Sequence, residues 1–336
     1  MRFLVVTHFI SILWFYNIGL TNHCAAPNAS TNDILSVNSI LSCKLGLNEN
    51  YLKTENSSHT SSLLKVKGYP EHLIYNRVPK AAGTTLRYLF RQQAEKRRYT
   101  ILNKNIYVPF LLPFNVQQEV VSEFEDAKLP VIYERHMYFI NFDVFQKPQP
   151  VYINVIRDPL QQVISSYYYS RSTCIDERRC YFNTTFVNET LNECVERRSA
   201  SECIDASHGV SPVIPFFCGN EAACEQNKTY ALEKAKQNII DYYTVVGIVE
   251  ELYNFLFVLE HLLPKYFANI RLLYISDGMK KENVRLNRSS DRNLSKTSQI
   301  LLRAALANEY DLYEFIKNRF HKQFHQILRT SETLRL

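Results

Sequence analysis

Two apolar runs in the sequence each end in a short loop that leads directly into a helical pattern. Residues 72–78 predict a strand, and residues 84–96 have the composition of a helix. Residues 151–156 predict a second strand, followed by a helix over 160–171 for which Asp158 is a suitable cap. Units of this kind are typical of α/β proteins whose central, mostly parallel sheet is flanked by helices.

Further helical patterns recur towards the end of the chain, with one short strand among them. The predicted helices cover 229–242, 249–263 and 297–320, and the strand covers 244–248. Apolar residues make up 46% of the chain and charged residues 21%, which excludes a mostly disordered protein. Parallel sheets bind ligands at the carboxyl ends of their strands, so the two loops described above are the candidate binding segments.

The first 22 residues contain an apolar stretch, residues 3–20, that follows Arg2 and carries no formal charge. At helical rise it would extend about 27 Å, enough to span a bilayer core. Two interpretations remain open: an uncleaved signal-anchor, or a signal peptide cut near Cys24. Either one places the rest of the chain in the secretory pathway. Residues 23–69 are rich in Asn, Ser and Thr and are predicted to form a stem or linker before a globular domain at 70–330.

Sequons and cysteines agree with a lumenal chain. The sequence contains seven Asn-x-Ser/Thr sequons, at Asn28, Asn56, Asn183, Asn188, Asn227, Asn287 and Asn293. Six of the eight cysteines form three close couples: Cys174/Cys180, Cys194/Cys203 and Cys218/Cys224. The number of cysteines allows many pairings, so sequence alone does not settle them. Zinc is the other interpretation, but there is no C-x₂-C pair and His208 has no companion at ligand spacing.

The first loop, NRVPKAAGTTL (76–86), combines a strand end, a tight loop and a helix start. Gly83 allows close approach of the backbone, and Thr84 and Thr85 offer amides and hydroxyls where the helix dipole favours an anion. Lys80 adds a positive charge that can follow a leaving oxygen. The loop lacks the G-x-x-x-x-G-K-[ST] spacing, which disfavours a nucleoside triphosphate. A plain strand–turn–helix with Lys80 in solvent is the alternative.

The second loop carries an arginine and a serine that could share one phosphate. Arg157 follows the strand end, and Ser165 lies two turns along the next helix. The alternative is a surface pair of Arg157 with Asp158. Together the two loops describe a site for a nucleotide with anionic groups at both ends. The formal net charge of +6 also favours an anionic partner without identifying it.

These segments resemble the sulfotransferases that use 3′-phosphoadenosine 5′-phosphosulfate as donor. Residues 76–86 are similar to their 5′-phosphosulfate loop and residues 153–169 to their 3′-phosphate-binding segment. The resemblance is stronger to the uronyl and heparan-sulfate 2-O-sulfotransferases, including the Pipe-like branch. It is carried by YNRVPK (75–80), RHMYFINF (135–142), PVYINVIRDP (150–159), IPFFCG (214–219), ALEKAKQNI (231–239), VGIVEEL (246–252) and LLPKYF (262–267).

The resemblance implies a P-loop-like sulfotransferase fold and a donor site in the two loops. The implied donor-binding residues are Lys80, Ala81, Ala82, Gly83, Thr84, Thr85, Arg157 and Ser165. A basic, hydroxyl-rich loop that closes on the donor in the family is matched at Arg288, Ser289 and Ser290. The alternative for that segment is a solvated charged loop, which its two sequons would fit. No metal is required by this chemistry, and no metal-ligand cluster is visible in the sequence.

His136 lies between aromatic residues in IYERHMYFINF (132–142). Such a histidine is commonly part of a packed core. Sulfuryl transfer to a sugar hydroxyl needs a base, however, and histidine has a suitable pKa near neutrality. The resemblance implies that His136 is this base and that Lys80 assists the leaving phosphate. Heparan-sulfate members carry a second histidine two residues earlier, where this chain has Glu134, so the pattern is more similar to the uronyl and Pipe-like members.

The expected protein is a Golgi membrane enzyme, single-pass type II, that sulfates the 2-hydroxyl of uronic acid in a glycosaminoglycan or related glycan. Secretion is the alternative location, and a catalytically inactive glycan-binding relative is the alternative function. Candidate acceptor contacts are Arg77, Arg171, Arg178 and Arg179. The family's two disulfides correspond to Cys194–Cys203 and Cys218–Cys224, and Cys174–Cys180 is predicted from its spacing. No nucleic-acid partner is expected, and a homo-oligomer, for which helix 297–320 could serve, remains open.

Overall fold

The computed structural model describes residues 63–107, 110–180, 182–278 and 293–333. All of them belong to one structural unit, Ser57–Leu336. The expected signal-anchor or signal peptide at 1–22 lies outside the described residues, as does most of the expected stem at 23–69. Within the described ranges, no helix is both long enough and apolar enough to cross a membrane.

A five-stranded sheet, with every strand pair parallel, forms the centre of the fold in the order β2–β3–β1–β4–β5. The strands are β1 (Tyr69–Asn76), β2 (Thr100–Tyr107), β3 (Val131–His136), β4 (Pro150–Ile156) and β5 (Tyr243–Ile248). Every residue of β4 and β5 is buried, as expected for parallel strands covered by helices on both faces. The predicted α/β architecture is therefore confirmed.

Helices connect these strands and cover the sheet. In the described part of the chain the α-helices are α1 (Gly83–Arg97), α2 (Phe114–Glu125), α3 (Pro159–Glu177), α4 (Leu191–Arg197), α5 (Ile214–Cys218), α6 (Ala223–Gln226), α7 (Lys228–Tyr242), α8 (Leu252–Leu262), α9 (Pro264–Phe267), α10 (Ile270–Leu273), α11 (Lys296–Ala305) and α12 (Ala307–Thr333). Helix α1 follows β1 and α3 follows β4, so both helices begin at the carboxyl edge of the sheet.

The predicted helix at 297–320 is wrong in one respect, because the structure divides it at Leu306 into α11 and α12. The two parts bury their apolar residues in different places. Leu302 and Leu306 belong to a small apolar cluster beside α3 and α4, whereas Ile316 and Phe320 of α12 belong to the main core around the sheet. The break at Leu306 therefore separates α11, which packs on the small cluster, from the part of α12 that packs on the main core.

The small apolar cluster is separate from the main core. It is built from buried residues of α3, α4, α11 and the loops between them: Leu160, Val163, Tyr167, Tyr168, Leu191, Cys194, Val195, Cys203, Val210, Leu302 and Leu306. The disulfide Cys194–Cys203 lies within this cluster. Disulfides Cys174–Cys180 and Cys218–Cys224 are also present, so the structure contains all three expected pairs.

The last residues of the expected stem contact the domain. The amide of Lys67 donates to Thr244 Oγ1 in β5 across 2.9 Å. The side-chain amide of Gln323 in α12 donates to the carbonyl oxygen of Leu63 across 2.9 Å and to that of Thr244 across 2.8 Å. This segment is therefore held against the end of the sheet by backbone and side-chain hydrogen bonds.

Candidate active site

The loop between β1 and α1 turns through two residues with left-handed backbone conformation. Lys80 has a φ of 62° and Ala82 a φ of 53°, which is uncommon for residues with a Cβ atom. The buried side-chain amide of Gln162 in α3 anchors the loop, donating to the carbonyl oxygens of Pro79 at 3.3 Å and Ser211 at 3.2 Å. Strained backbone of this kind is concentrated at functional sites.

The start of α1 has the properties of an anion site. Its N-cap, Ala82, makes no side-chain cap, and the first turn contains no acidic residue. A Cβ atom built on Gly83 would approach only Arg77 Cδ, at 4.0 Å, so the space before these amides is open. The buried hydroxyl of Thr85 has no hydrogen-bond partner among the described residues. Uncapped amides at the positive end of a helix dipole fit a phosphate or phosphosulfate group.

The second predicted phosphate-binding pair lies at the start of α3. Arg157 follows β4 directly and is half-buried, and Ser165 is half-buried two turns along the helix. The alternative pair of Arg157 with Asp158 is not formed: Asp158 instead accepts from the amide of Gln161 at 2.9 Å and from the hydroxyl of Tyr310 at 3.1 Å. Within the described ranges the guanidinium of Arg157 is therefore available for an anionic ligand.

His136 ends β3, beside the end of β1. Its Nδ1 atom lies 2.8 Å from the carbonyl oxygen of Arg77. Because a carbonyl oxygen can only accept, the neutral ring carries its proton on Nδ1, and Nε2 is the nitrogen that can take up a proton. A neutral imidazole in this tautomer is the form that a general base requires.

The surroundings of His136 keep its ring uncharged. Burial and neighbouring positive charges together lower the pKa of His136 to about 3, and burial is the largest cause. Among the charges Arg77 has the largest effect, Arg87 and Lys80 have smaller ones, and the hydrogen bond to the Arg77 carbonyl acts in the opposite direction. Because β1 and β3 are parallel neighbours, the loop that carries Lys80 and the end of β3 that carries His136 lie at the same edge of the sheet.

A buried carboxylate lies two residues before His136. Glu134 is 1% exposed and accepts a hydrogen bond from Arg87 Nε at 3.0 Å. It also accepts from the side-chain amide of Asn103 in β2, and Arg91 lies 4.0 Å away. The sequence analysis did not identify Arg87 or Asn103. The available signal was Glu134 itself, because a charge within a buried strand requires partners.

The candidate acceptor arginines occupy different environments. Arg77 is 5% exposed and its carbonyl oxygen contacts the ring of His136. Arg171 is buried and donates to the carbonyl oxygens of three residues at 3.0–3.1 Å: Tyr167, Glu189 and His208. Its guanidinium also lies 3.2 Å from the centroid of the Tyr167 ring. In this structure Arg171 holds together the loops beside the small apolar cluster, and it is not exposed to a glycan.

Arg178 and Arg179 are exposed at the other end of α3. Arg178 caps the helix with a φ of 52°, and Arg179 pairs with Glu177. Since α3 has 19 residues, this end lies about 28 Å along the helix from Arg157. The structure does not bring these two arginines to the donor loops.

The remaining predicted residues divide between described and undescribed segments. Arg288, Ser289 and Ser290 lie outside the described residues, as do the sequons at Asn28, Asn56 and Asn287. The other four sequon asparagines are exposed: Asn183, Asn188, Asn227 and Asn293.

One group of side chains has the residue types of a metal site. Ligand atoms of Glu189, Cys194 and His208 lie within 4.8 Å of one another. The sulfur of Cys194 is bonded to Cys203, so this group lacks the thiolate that a metal site would need.

Comparison with known proteins identifies similar sequences over most of the chain. The family model described as "Sulfotransferase family" matches residues 68–323. The uronyl 2-sulfotransferase of Homo sapiens is 31% identical over 264 residues, covering 76% of this chain and 64% of that protein. The heparan sulfate 2-O-sulfotransferase 1 of Xenopus laevis is 33% identical over 260 residues, covering 74% of this chain and 70% of that protein.

A third relative extends the comparison to insects. The uronyl 2-sulfotransferase homolog pip of Drosophila melanogaster is 30% identical over 293 residues, covering 81% of this chain and 57% of that protein. The chain thus spans less than two thirds of the length of the uronyl relatives that it matches.

Proposed function

Since the chain belongs to the sulfotransferase family, we propose that it transfers a sulfuryl group from 3′-phosphoadenosine 5′-phosphosulfate to the 2-hydroxyl of a uronic acid in an anionic glycan. The names of the relatives support this acceptor class. The observation that carries the proposal is that His136, at the end of β3, and the uncapped start of α1, which follows β1, lie at the same edge of the parallel sheet.

The donor would bind across the two loops at the carboxyl edge of the sheet. The amides of Gly83, Thr84 and Thr85 would accept the 5′-phosphosulfate end. Arg157 and Ser165 would hold the 3′-phosphate, because a guanidinium and a hydroxyl together match its oxygens. Ala81 and Ala82 contribute backbone to the same loop. Arg288, Ser289 and Ser290 stay a prediction for the segment that closes over the donor.

The transfer would be an in-line displacement at sulfur. The acceptor hydroxyl oxygen forms the new bond to sulfur, its proton passes to His136 Nε2, and the bond from sulfur to the donor's phosphate oxygen breaks. Lys80 and the amides of α1 stabilise the negative charge that develops on the departing phosphate. The departing nucleotide is adenosine 3′,5′-bisphosphate, so atoms and charge balance without a metal in this scheme.

Positive charge around the base suits an acidic acceptor. Arg77 and Arg87 both act electrostatically on His136, and the side chain of Arg87 is about a quarter exposed. Charges placed close to the base would attract a uronic acid carboxylate and make binding sensitive to salt. Arg178 and Arg179 are candidates only for contacts with distant parts of a long glycan.

The cellular location is inferred from the disulfides and the sequons. Three disulfides are typical of an oxidising compartment, and exposed sequons fit a lumenal surface. We therefore infer a lumenal catalytic domain, with residues 1–22 as its membrane anchor or signal peptide. A homo-oligomer stays a prediction.

The decisive experiment incubates the purified protein with radiolabelled donor and one acceptor at a time. The acceptors are desulfated heparan, dermatan and chondroitin chains, each in a separate reaction. Disaccharide analysis of the product should locate the new sulfate on the 2-hydroxyl of uronic acid. His136→Ala should lower kcat by about 10²–10⁴-fold while donor binding persists. His261→Ala, a change at an exposed histidine of α8, is the control and should leave kcat unchanged. Donor binding without transfer to any acceptor would favour the inactive glycan-binding relative.

A further inference from the structure

The ammonium group of Lys80 lies 3.6 Å above the centroid of the Tyr169 ring. This cation–π contact joins the strained loop after β1 to helix α3, across 89 positions of sequence. Tyr169 is 54% exposed, so its ring is not needed to fill the core. In the part of the chain that the structure describes, the contact with Lys80 is what links this ring to another element.

The geometry relates this ring to the donor site. Tyr169 lies four residues after Ser165 on α3, so the two side chains project from the same face of the helix. Lys80, whose backbone is left-handed with a φ of 62°, places its ammonium over the ring that projects from that face. The contact therefore joins the two proposed phosphate-binding segments, residues 76–86 and 153–169.

We propose that Tyr169 is a positioning residue. Its ring holds the ammonium of Lys80 where that group would meet the donor's leaving oxygen. This inference rests on the proposed sulfuryl transfer. A ring contacts an ammonium group from one side, and the ammonium carries three N–H donors. Fixing the lysine in advance removes the cost of ordering a long, flexible side chain when the charge develops.

The face of an aromatic ring attracts a cation through its quadrupole, and fluorine atoms weaken that attraction with little change of shape. Replacing Tyr169 by phenylalanine and by mono-, di- and trifluorophenylalanine therefore gives a graded test. Tyr169→Phe should retain kcat within about 2-fold. Each added fluorine should lower kcat, and Tyr169→Leu should lower it by about 2- to 30-fold, which matches the range for cation–π contacts. The KM for the acceptor should stay unchanged.

Tyr69→Leu is the matched control, because Tyr69 is similarly exposed and begins β1 at the opposite edge of the sheet. Its kcat should equal that of the unsubstituted protein. A flat fluorination series, or a kcat that rises as fluorines are added, would overturn the role of Tyr169. Absence of transfer by the unsubstituted protein would instead count against the proposed function.

A second measurement tests the contact between Lys80 and Tyr169 directly and does not depend on enzyme activity. In protein labelled with ¹³C-lysine, the ε-protons of Lys80 should be shifted upfield by the ring below them, with the signal assigned by its loss in Lys80→Arg. The shift should vanish in Tyr169→Leu and persist in Tyr69→Leu. An unshifted Lys80 signal in the unsubstituted protein would refute the contact and the inference together.

Discussion

His136 donates from Nδ1 to the backbone carbonyl of Arg77, and this bond joins the ends of the neighbouring strands β3 and β1. Because the acceptor is a backbone atom, no side-chain replacement at position 77 removes it. The tautomer of the imidazole is therefore fixed by the register of the sheet, and the charge of the Arg77 side chain can be varied separately.

Replacing Arg77 by methionine should raise the pKa of His136. The guanidinium is the largest charge effect on this ring, and its positive charge opposes protonation. Titration of the His136 C2 proton by NMR measures the change. Arg91→Met is the matched control, since Arg91 is exposed and is not among the charges that lower this pKa. Equal titration curves for the two variants would contradict the assigned cause.

Protein stability should depend on His136 between pH 6.5 and 3. In this window the unfolded chain takes up a proton that the folded ring, with its pKa lowered to about 3, does not accept. The folded state therefore loses stability as the pH falls, by at most about 2 kcal/mol at pH 5. Urea unfolding at pH 7 and pH 5 should show this loss in the unsubstituted protein and not in His136→Gln. A loss of equal size in both proteins would argue against a depressed pKa.

Gly83→Ala should weaken donor binding without destabilising the fold. The new Cβ atom would meet nothing closer than Arg77 Cδ, at 4.0 Å, so the fold accommodates it. We expect the added methyl group to hinder the close approach of a phosphate to the amides at the start of α1. We expect the affinity for adenosine 3′,5′-bisphosphate to fall by about 10-fold or more, measured by calorimetry.

Gly209→Ala provides the opposite case. Gly209 has a φ of 77°, and a Cβ atom there would lie 2.4 Å from Ser170 Oγ. This variant should lose stability and keep its affinity for the nucleotide. If Gly83→Ala bound the nucleotide normally, the phosphate site would not lie at the start of α1.

Arg171→Met should destabilise the protein by about 3 kcal/mol, since the change leaves buried carbonyl oxygens without their charged donor. Arg178→Ala and Arg179→Ala, at exposed positions, should stay within about 0.5 kcal/mol of the unsubstituted protein. Urea unfolding compares the three variants. A stable Arg171→Met with a raised KM for the acceptor would return Arg171 to the acceptor site.

The sequence predicted the elements whose strand is continuously apolar or whose preceding loop has a recognisable residue pattern. Helix α1 was predicted within one residue at each end, and β4 within one residue at its start. Strands β2 and β3 were not predicted, because TILNKNIY and VIYERH interrupt their apolar pattern with polar residues. Among the described residues, the partners of Glu134 lie on β2 and α1, and such long-range pairing leaves no local periodicity.

Some residues of the candidate site could be predicted from local sequence, whereas others depend on long-range contacts. Loop chemistry indicated Lys80, Gly83 and Arg157, since each depends on local sequence. Spacing alone could not distinguish the buried Arg171 from an exposed arginine, because its three carbonyl acceptors come partly from distant loops. The contact between Lys80 and Tyr169 was equally hidden, as it depends on how α3 lies beside the loop after β1.

Helix α3 has two faces with different partners. One carries Ser165 and Tyr169, while Leu160, Val163 and Tyr167 are buried in the small apolar cluster. The helix therefore lies between the proposed donor site and the small apolar cluster, which contains the disulfide Cys194–Cys203. Gln162 of α3 links the loop after β1 to Ser211, which adjoins the small apolar cluster. We therefore expect mutations in that cluster to preserve the reaction as long as they leave α3 and this link in place.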